Sequence, residues 1–181
     1  MAGALQWGKS LPHPLSFIRH LGCATQFSEG RGSDTCRGAM AKIDPNWKPR
    51  DAPPGWRMQT LPDTFSYLAG PYYFRDEGPT PGVAFYSEPH HCNMGGILHG
   101  GALLTLADMS MFDIAFRSVG RFRAVTLSMN SEFLAPGPVG EFIEATGEVL
   151  KAGKSLIFVR GLVSAGDKKL MSFSGTLKRS A

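Results

Sequence analysis

Residues 91–108 read His91-Cys92-Asn93-Met94-Gly95-Gly96-Ile97-Leu98-His99-Gly100-Gly101-Ala102-Leu103-Leu104-Thr105-Leu106-Ala107-Asp108. A glycine-rich loop opens an apolar helix, and that helix carries a carboxylate where burial is expected. Aspartate is a poor residue for a helix interior and is seldom buried without a partner. One turn either way, Asp108 meets Leu104, Thr105, Met111 and Phe112, none of them a cation. Asp113 differs, because Arg117 lies four residues on as a ready ion-pair partner. An acid without a cation, held among apolar neighbours, is a candidate for chemistry.

The start of the helix supplies the complementary part. Its first backbone N–H groups have no intrahelical acceptor, and the helix dipole favours negative charge there. Gly100 and Gly101 carry no side chain to hold a ligand away, so a carbonyl docked on the Gly100 N–H would be polarised and its oxyanion stabilised. Asn93 and His99 offer donors beside it. Asp108 then serves as a general base for water or attacks the carbonyl directly.

Distance limits how these parts combine. Eight residues along a helix correspond to about 12 Å, whereas reacting groups must approach to roughly 3–3.5 Å. Gly100 and Asp108 of one helix therefore cannot serve the same carbonyl. If both act, each site draws on two subunits, and a two-fold homodimer with paired sites is expected.

Around the motif, the chain divides into two compositions. Residues 1–60 contain Pro12, Pro14, Pro45, Pro49, Pro53, Pro54 and the polar run Gly30-Arg31-Gly32-Ser33-Asp34, and are expected to form a largely disordered N-terminal extension. Residues 1–39 carry no foldable pattern, and Met40 is an alternative start. The domain is expected to span 61–181. Leu61 to Ala69 reads as a short helix with Phe65 and Leu68 on one side, stopped by Gly70-Pro71. Tyr72–Arg75 and Val83–Tyr86 read as strands. The motif helix is expected from about Gly100 to Val119, apolar on nearly all faces and hence buried.

Beyond it, Val125, Leu127 and Met129 alternate with Thr126, Ser128 and Asn130. That is the pattern of a half-buried strand with Thr126 on its polar face. Segments 142–150, 156–164 and 170–177 continue the series, joined by Lys151-Ala152-Gly153-Lys154 and Ala165-Gly166-Asp167-Lys168 as hairpin connections. One long helix followed by consecutive hairpins implies an α+β domain, an antiparallel sheet wrapped around a central helix.

Composition excludes several classes. No apolar run approaches the roughly 20 residues needed to span a bilayer. The net charge of +4 resides wholly in residues 1–60, which hold eight basic and four acidic side chains. No basic stripe interleaved with aromatics supports nucleic-acid binding. Cys23, Cys36 and Cys92 are odd in number and lack metal-type spacing, so no metal or disulfide framework is expected. A reducing, cytoplasmic setting fits them.

Asn93-Met94-Gly95-Gly96-Ile97-Leu98-His99-Gly100-Gly101 followed by Leu106-Ala107-Asp108 closely resembles the signature of hotdog-fold acyl-CoA thioesterases of the phenylacetate-degradation (PaaI-like) type. The resemblance covers roughly residues 61–178, including the hairpin Lys151-Ala152-Gly153-Lys154-Ser155-Leu156. It implies a hotdog fold, hydrolysis of an acyl-CoA without a cofactor, and a site between subunits of a homodimer or of a homotetramer. Asp108 would activate water or attack the thioester, and Gly100 would polarise its carbonyl with Asn93 beside it. His99 would help to position the substrate, and Thr126 would orient the water.

Gly101 and Phe112 are candidate substrate contacts, with Phe65, Tyr67 and Phe116 as further pocket residues. Lys151, Lys154 and Arg123 are candidates for the CoA phosphates. The plain alternatives are a hydrogen-bonded buried acid at Asp108, a helix cap at His99, and a turn residue with left-handed tolerance at Asn93. For the whole chain, the alternative is a non-catalytic acyl-CoA-binding or sensing protein, which would not need an acid at position 108.

Overall fold

The alternating segments of the C-terminal half pair in order, and the N-terminal strands extend the same sheet. The computed structural model describes residues 48–59 and 64–180. Its strands are β1 (Trp56–Gln59), β2 (Tyr72–Arg75), β3 (Gly82–Tyr86), β4 (Ala124–Phe133), β5 (Phe142–Ala152), β6 (Leu156–Ala165) and β7 (Lys168–Arg179). They form one antiparallel sheet in the order β1-β2-β3-β5-β6-β7-β4. Among the described residues two α-helices accompany them, α1 (Phe65–Leu68) and α2 (Gly100–Val119), with a single 3-10 turn at Pro89–His91. The long helix has the expected bounds, and the sheet wraps it in the hotdog arrangement. No helix among the described residues is long and apolar enough to cross a membrane.

Leu103, Leu106, Ala107, Met111 and Ile114 recur at three- and four-residue spacing, so they form one stripe of α2. All are buried, in one cluster with Ile143, Ala145, Ile157, Val159, Val163, Phe173 and Leu177 of the sheet. Each large side chain contributes about 1.5–3 kcal/mol on leaving water. Close contact depends on positions without a side chain. A Cβ on Gly175 would stand 2.4 Å from Met111 Sδ, and one on Gly161 would stand 2.3 Å from both Phe173 Cζ and the Thr146 carbonyl oxygen. These strands pack this near only because the two residues are glycine.

Three expectations are corrected. The sheet begins before residue 61: β1 pairs with β2 from Trp56↔Arg75 to Gln59↔Tyr72, within the stretch assigned to the extension. Trp56 anchors it edge-to-face on Phe142 at 5.0 Å, a long-range contact that local composition does not reveal. The expected disorder of residues 1–39 lies outside the described residues.

The first helix is shorter than expected. Thr64 Oγ1 caps it by accepting the Tyr67 N–H, Ala69 closes it, and Phe65, Tyr67 and Leu68 are exposed. Of the expected start, residues 61–63 lie outside the described residues.

The faces of β4 are the reverse of the alternation reading at its start. A register shift between Thr126 and Ser128 marks a bulge against β7. Thr126 turns toward α2, while Val125 and Leu127 are each 57% exposed. A single extra residue flips the two-residue period, so the hydrophobic alternation misassigns the faces there.

Substituting Gly161→Ala should cost about 3 kcal/mol, since the methyl would meet a backbone oxygen and an aromatic ring that cannot both retreat. Denaturant midpoints of the two proteins will measure it.

Candidate active site

The loop before α2 is built by its own polar groups. Asn93 Oδ1 accepts the N–H of Gly95 at 2.8 Å and of Ile97 at 3.5 Å, and the Asn93 N–H donates to the Ile97 carbonyl at 2.9 Å. Gly96 takes the left-handed conformation in this turn, with φ of 74°. Asn93 thus holds the turn through its carbonyl, while the left-handed place belongs to a glycine. Its amide nitrogen makes no hydrogen bond among the described residues and remains a donor.

His99 is the N-cap of α2. Its Nδ1 accepts the Gly101 N–H at 2.8 Å. A neutral ring accepting at Nδ1 carries its proton on Nε2, so the exposed side of His99 offers an N–H. The same bond occupies Gly101, whose N–H is not available to a ligand. The Gly100 N–H, by contrast, has no acceptor among the described residues, and it opens the positive end of a 20-residue helix.

Asp108 lies two turns along α2, half-buried, on the flank crossed by β4. It is not isolated: Thr126 Oγ1 donates to Asp108 Oδ1 at 2.6 Å. The bulge in β4 turns the hydroxyl inward to make this bond. A charge-assisted bond of this length orients the carboxylate, and Oδ2 accepts no hydrogen bond among the described residues.

The structure joins Asn93, His99 and Gly100 at one end of α2, and Asp108 and Thr126 on its flank. It does not bring the two groups together within one chain. Phe112 is half-buried against the core, with its ring 6.4 Å from that of Phe116. Lys151, Lys154 and Arg123 are exposed, and no hydrogen bond or ion pair among the described residues links them to the motif. Cys92 directs its thiol to the Glu88 carbonyl at 3.8 Å.

Asp113 pairs with Arg117 at 3.3 Å, as their spacing suggests. Burial raises its pKa, and the Arg117 guanidinium opposes that shift.

A thioesterase superfamily model matches residues 95–172, from the glycine loop into β7. The chain is 32% identical over 110 residues to a candidate esterase of Pseudomonas aeruginosa, covering 60% of this chain and 82% of that protein. It is 39% identical over 72 residues to acyl-coenzyme A thioesterase 13 of Mus musculus, covering 39% of this chain and 51% of that one. Among solved structures, a phenylacetic acid degradation protein PaaI of Thermus thermophilus superposes with a TM-score of 0.57. The two are 25% identical, over 64% of this chain and 98% of the other.

His91, two residues before the signature that begins at Asn93, has a role that only the structure reveals. It is 5% exposed, Nδ1 accepts the Glu88 N–H at 2.9 Å, and Nε2–H donates to the Ala69 carbonyl at 3.1 Å. The neutral ring ties the loop entry to the turn after α1. Burial first, then the neighbouring His90, lowers its pKa to about 4. The folded protein therefore binds this proton less readily than the unfolded chain. The contribution of His91 should be complete above about pH 6.5 and lost as pH falls to about 4. The loss is about 3 kcal/mol at 1.36 kcal/mol per pKa unit. Urea unfolding across this range, compared with His91→Gln, will measure it as a flatter pH profile in the variant.

Proposed function

The chain belongs to the thioesterase superfamily, in its PaaI-like hotdog branch, and from that premise we propose that it hydrolyses an acyl-CoA with Asp108 and Gly100 contributed by different subunits. It is a thioester hydrolase by family, and the acyl-CoA substrate class follows from its resemblance to acyl-coenzyme A thioesterase 13. The observation that carries the mechanism is the Asp108–Thr126 bond at 2.6 Å, on the same helix as an unused Gly100 N–H but about 12 Å along it.

In this reading, the thioester carbonyl accepts from the Gly100 N–H of one subunit, with the Asn93 amide and His99 Nε2–H beside it. Asp108 of the partner subunit faces the carbonyl carbon. The Thr126 hydroxyl has lone pairs left after donating to Asp108, and they hold a water against Oδ2, which favours general-base action. Asp108 takes a proton as the water oxygen bonds to carbon, and the C=O pair moves to the oxygen held by Gly100. Collapse of the tetrahedral intermediate breaks the C–S bond. The protonated Asp108 returns the proton to sulfur, releasing a carboxylic acid and CoA.

A two-fold dimer has physical support beyond the helix rise. Among the described residues β4 pairs only with β7, so its other edge presents unpaired backbone groups over ten residues. Val125, Leu127, Phe133 and Leu134, with Met94 and Ile97 of the loop, leave large apolar side chains exposed around that edge and the start of α2. A long apolar edge strand calls for a partner. A second copy running antiparallel would place α2 against its mate in the opposed direction that the site requires.

Asp108→Ala should reduce turnover by about 10³-fold while the protein stays folded and dimeric. Near-normal thiol release from its best acyl-CoA by that variant would remove Asp108 from the mechanism, whereas no thiol release by the unaltered protein from any short-chain, long-chain or aryl CoA ester would favour the binding-protein alternative. Thr126→Val should lose about 10- to 100-fold, the value of one hydrogen bond to a charged group. Sedimentation should show the active species to be no smaller than a dimer.

A further inference from the structure

The first glycine of the helix is constrained by a residue far along the chain. A Cβ on Gly100 would stand 3.0 Å from Phe133 Cζ and 3.1 Å from its Cε1. The edge of the ring therefore lies against the Gly100 Cα. Phe133 is nevertheless 54% exposed, so much of the ring faces neither the helix nor the core. It is the last residue of β4, held in register opposite the buried Met171, and the next N–H, that of Leu134, donates to Leu170 O at 2.8 Å. The backbone behind the ring is fixed while its outer surface is open.

We propose that Phe133 is a positioning residue of the thioester site: it holds the Gly100 backbone and forms an apolar wall beside its N–H. The proposal rests on the reading of Gly100 as the carbonyl donor. A ring against the first turn keeps water from crowding that side of the N–H, and a donor in a water-poor setting stabilises developing charge more strongly. It also gives the glycine a second reason to lack a side chain. A methyl at position 100 keeps the N–H but strikes the ring, so any alanine defect there would arise through Phe133. β4 then serves both halves of the chemistry, Thr126 setting Asp108 and Phe133 setting Gly100. In a two-fold dimer these two contacts of one strand belong to different sites.

The test uses the full-length chain and steady-state acyl-CoA hydrolysis. Phe133→Ala should lower kcat by about 100-fold, the scale of a small misplacement, with KM changed less than threefold. Phe133→Tyr should retain most activity. Phe133→Leu, which keeps apolar volume if alanine unfolds the protein, should lose about tenfold. Gly100→Ala should be nearly inactive, and Gly100→Ala/Phe133→Ala should recover at least tenfold over Gly100→Ala alone. Co-expressed Asp108→Ala and Phe133→Ala subunits should regain activity that neither homodimer has, because one site in the mixed dimer is then intact.

With the variants shown by sedimentation to remain dimeric, an unchanged kcat in Phe133→Ala or Phe133→Leu overturns the proposal, as does a double variant no better than Gly100→Ala. Full activity of Asp108→Ala would instead overturn the underlying mechanism, while the Gly100–Phe133 epistasis would still report on the contact.

Discussion

An α-helix advances about 1.5 Å per residue, and that rise keeps the two ends of the chemistry on α2 apart. The unused N–H of Gly100 and the carboxylate of Asp108 are fixed to one rigid rod, eight residues from each other. No rotamer of aspartate spans about 12 Å. The remaining features accord with that constraint. One flank of α2 is sealed by the sheet, the flank under β4 holds the acid, and β4 has no second strand partner among the described residues. Under the proposed mechanism, such a subunit supplies half of each of two sites.

The sheet does more than bury the helix. β4 crosses the flank of α2 and touches it at two points, the hydroxyl of Thr126 on Asp108 and the ring of Phe133 on Gly100. The bulge between Thr126 and Ser128 turns the hydroxyl inward. Bulges re-aim side chains at the cost of a ladder bond, and here the re-aimed group orients the carboxylate. The close approach of Gly161 and Gly175 to their neighbours gives this framework its rigidity. A hydrogen bond of 2.6 Å keeps a single geometry only when both of its supports are stiff.

Much of this was legible in local pattern. The bounds of α2, the hairpins of β5, β6 and β7, and the pairing of Asp113 with Arg117 follow from periodicity, turn residues and four-residue spacing. The motif itself marked Asn93, His99, Gly100 and Asp108. What escaped was non-local. β1 has four residues and no alternation, and it exists because Trp56 finds Phe142 across the sheet. The inward turn of Thr126 depends on a bulge defined by β7, roughly 50 residues away. His91 and Phe133 carry no motif signal, since their partners, Ala69, Glu88 and Gly100, are identified only by folding.

The sequence by itself determined the helix, the hairpin order, the glycine loop and the presence of an acid two turns into an apolar helix. These depend on period and spacing, which are properties of neighbouring residues. The separation of Gly100 from Asp108 was also contained in the residue count, because helix rise is a constant. Only the tertiary structure decided that Asp108 has a hydroxyl partner, that Gly101 is occupied by His99 while Gly100 is not, and that an aromatic ring lies against the first turn. The first and the last depend on where a distant strand crosses the helix, whereas the Gly101 bond is a local cap that the folded rotamer of His99 completes. That crossing is set by packing and by one bulge, and neither is written in the order of adjacent residues.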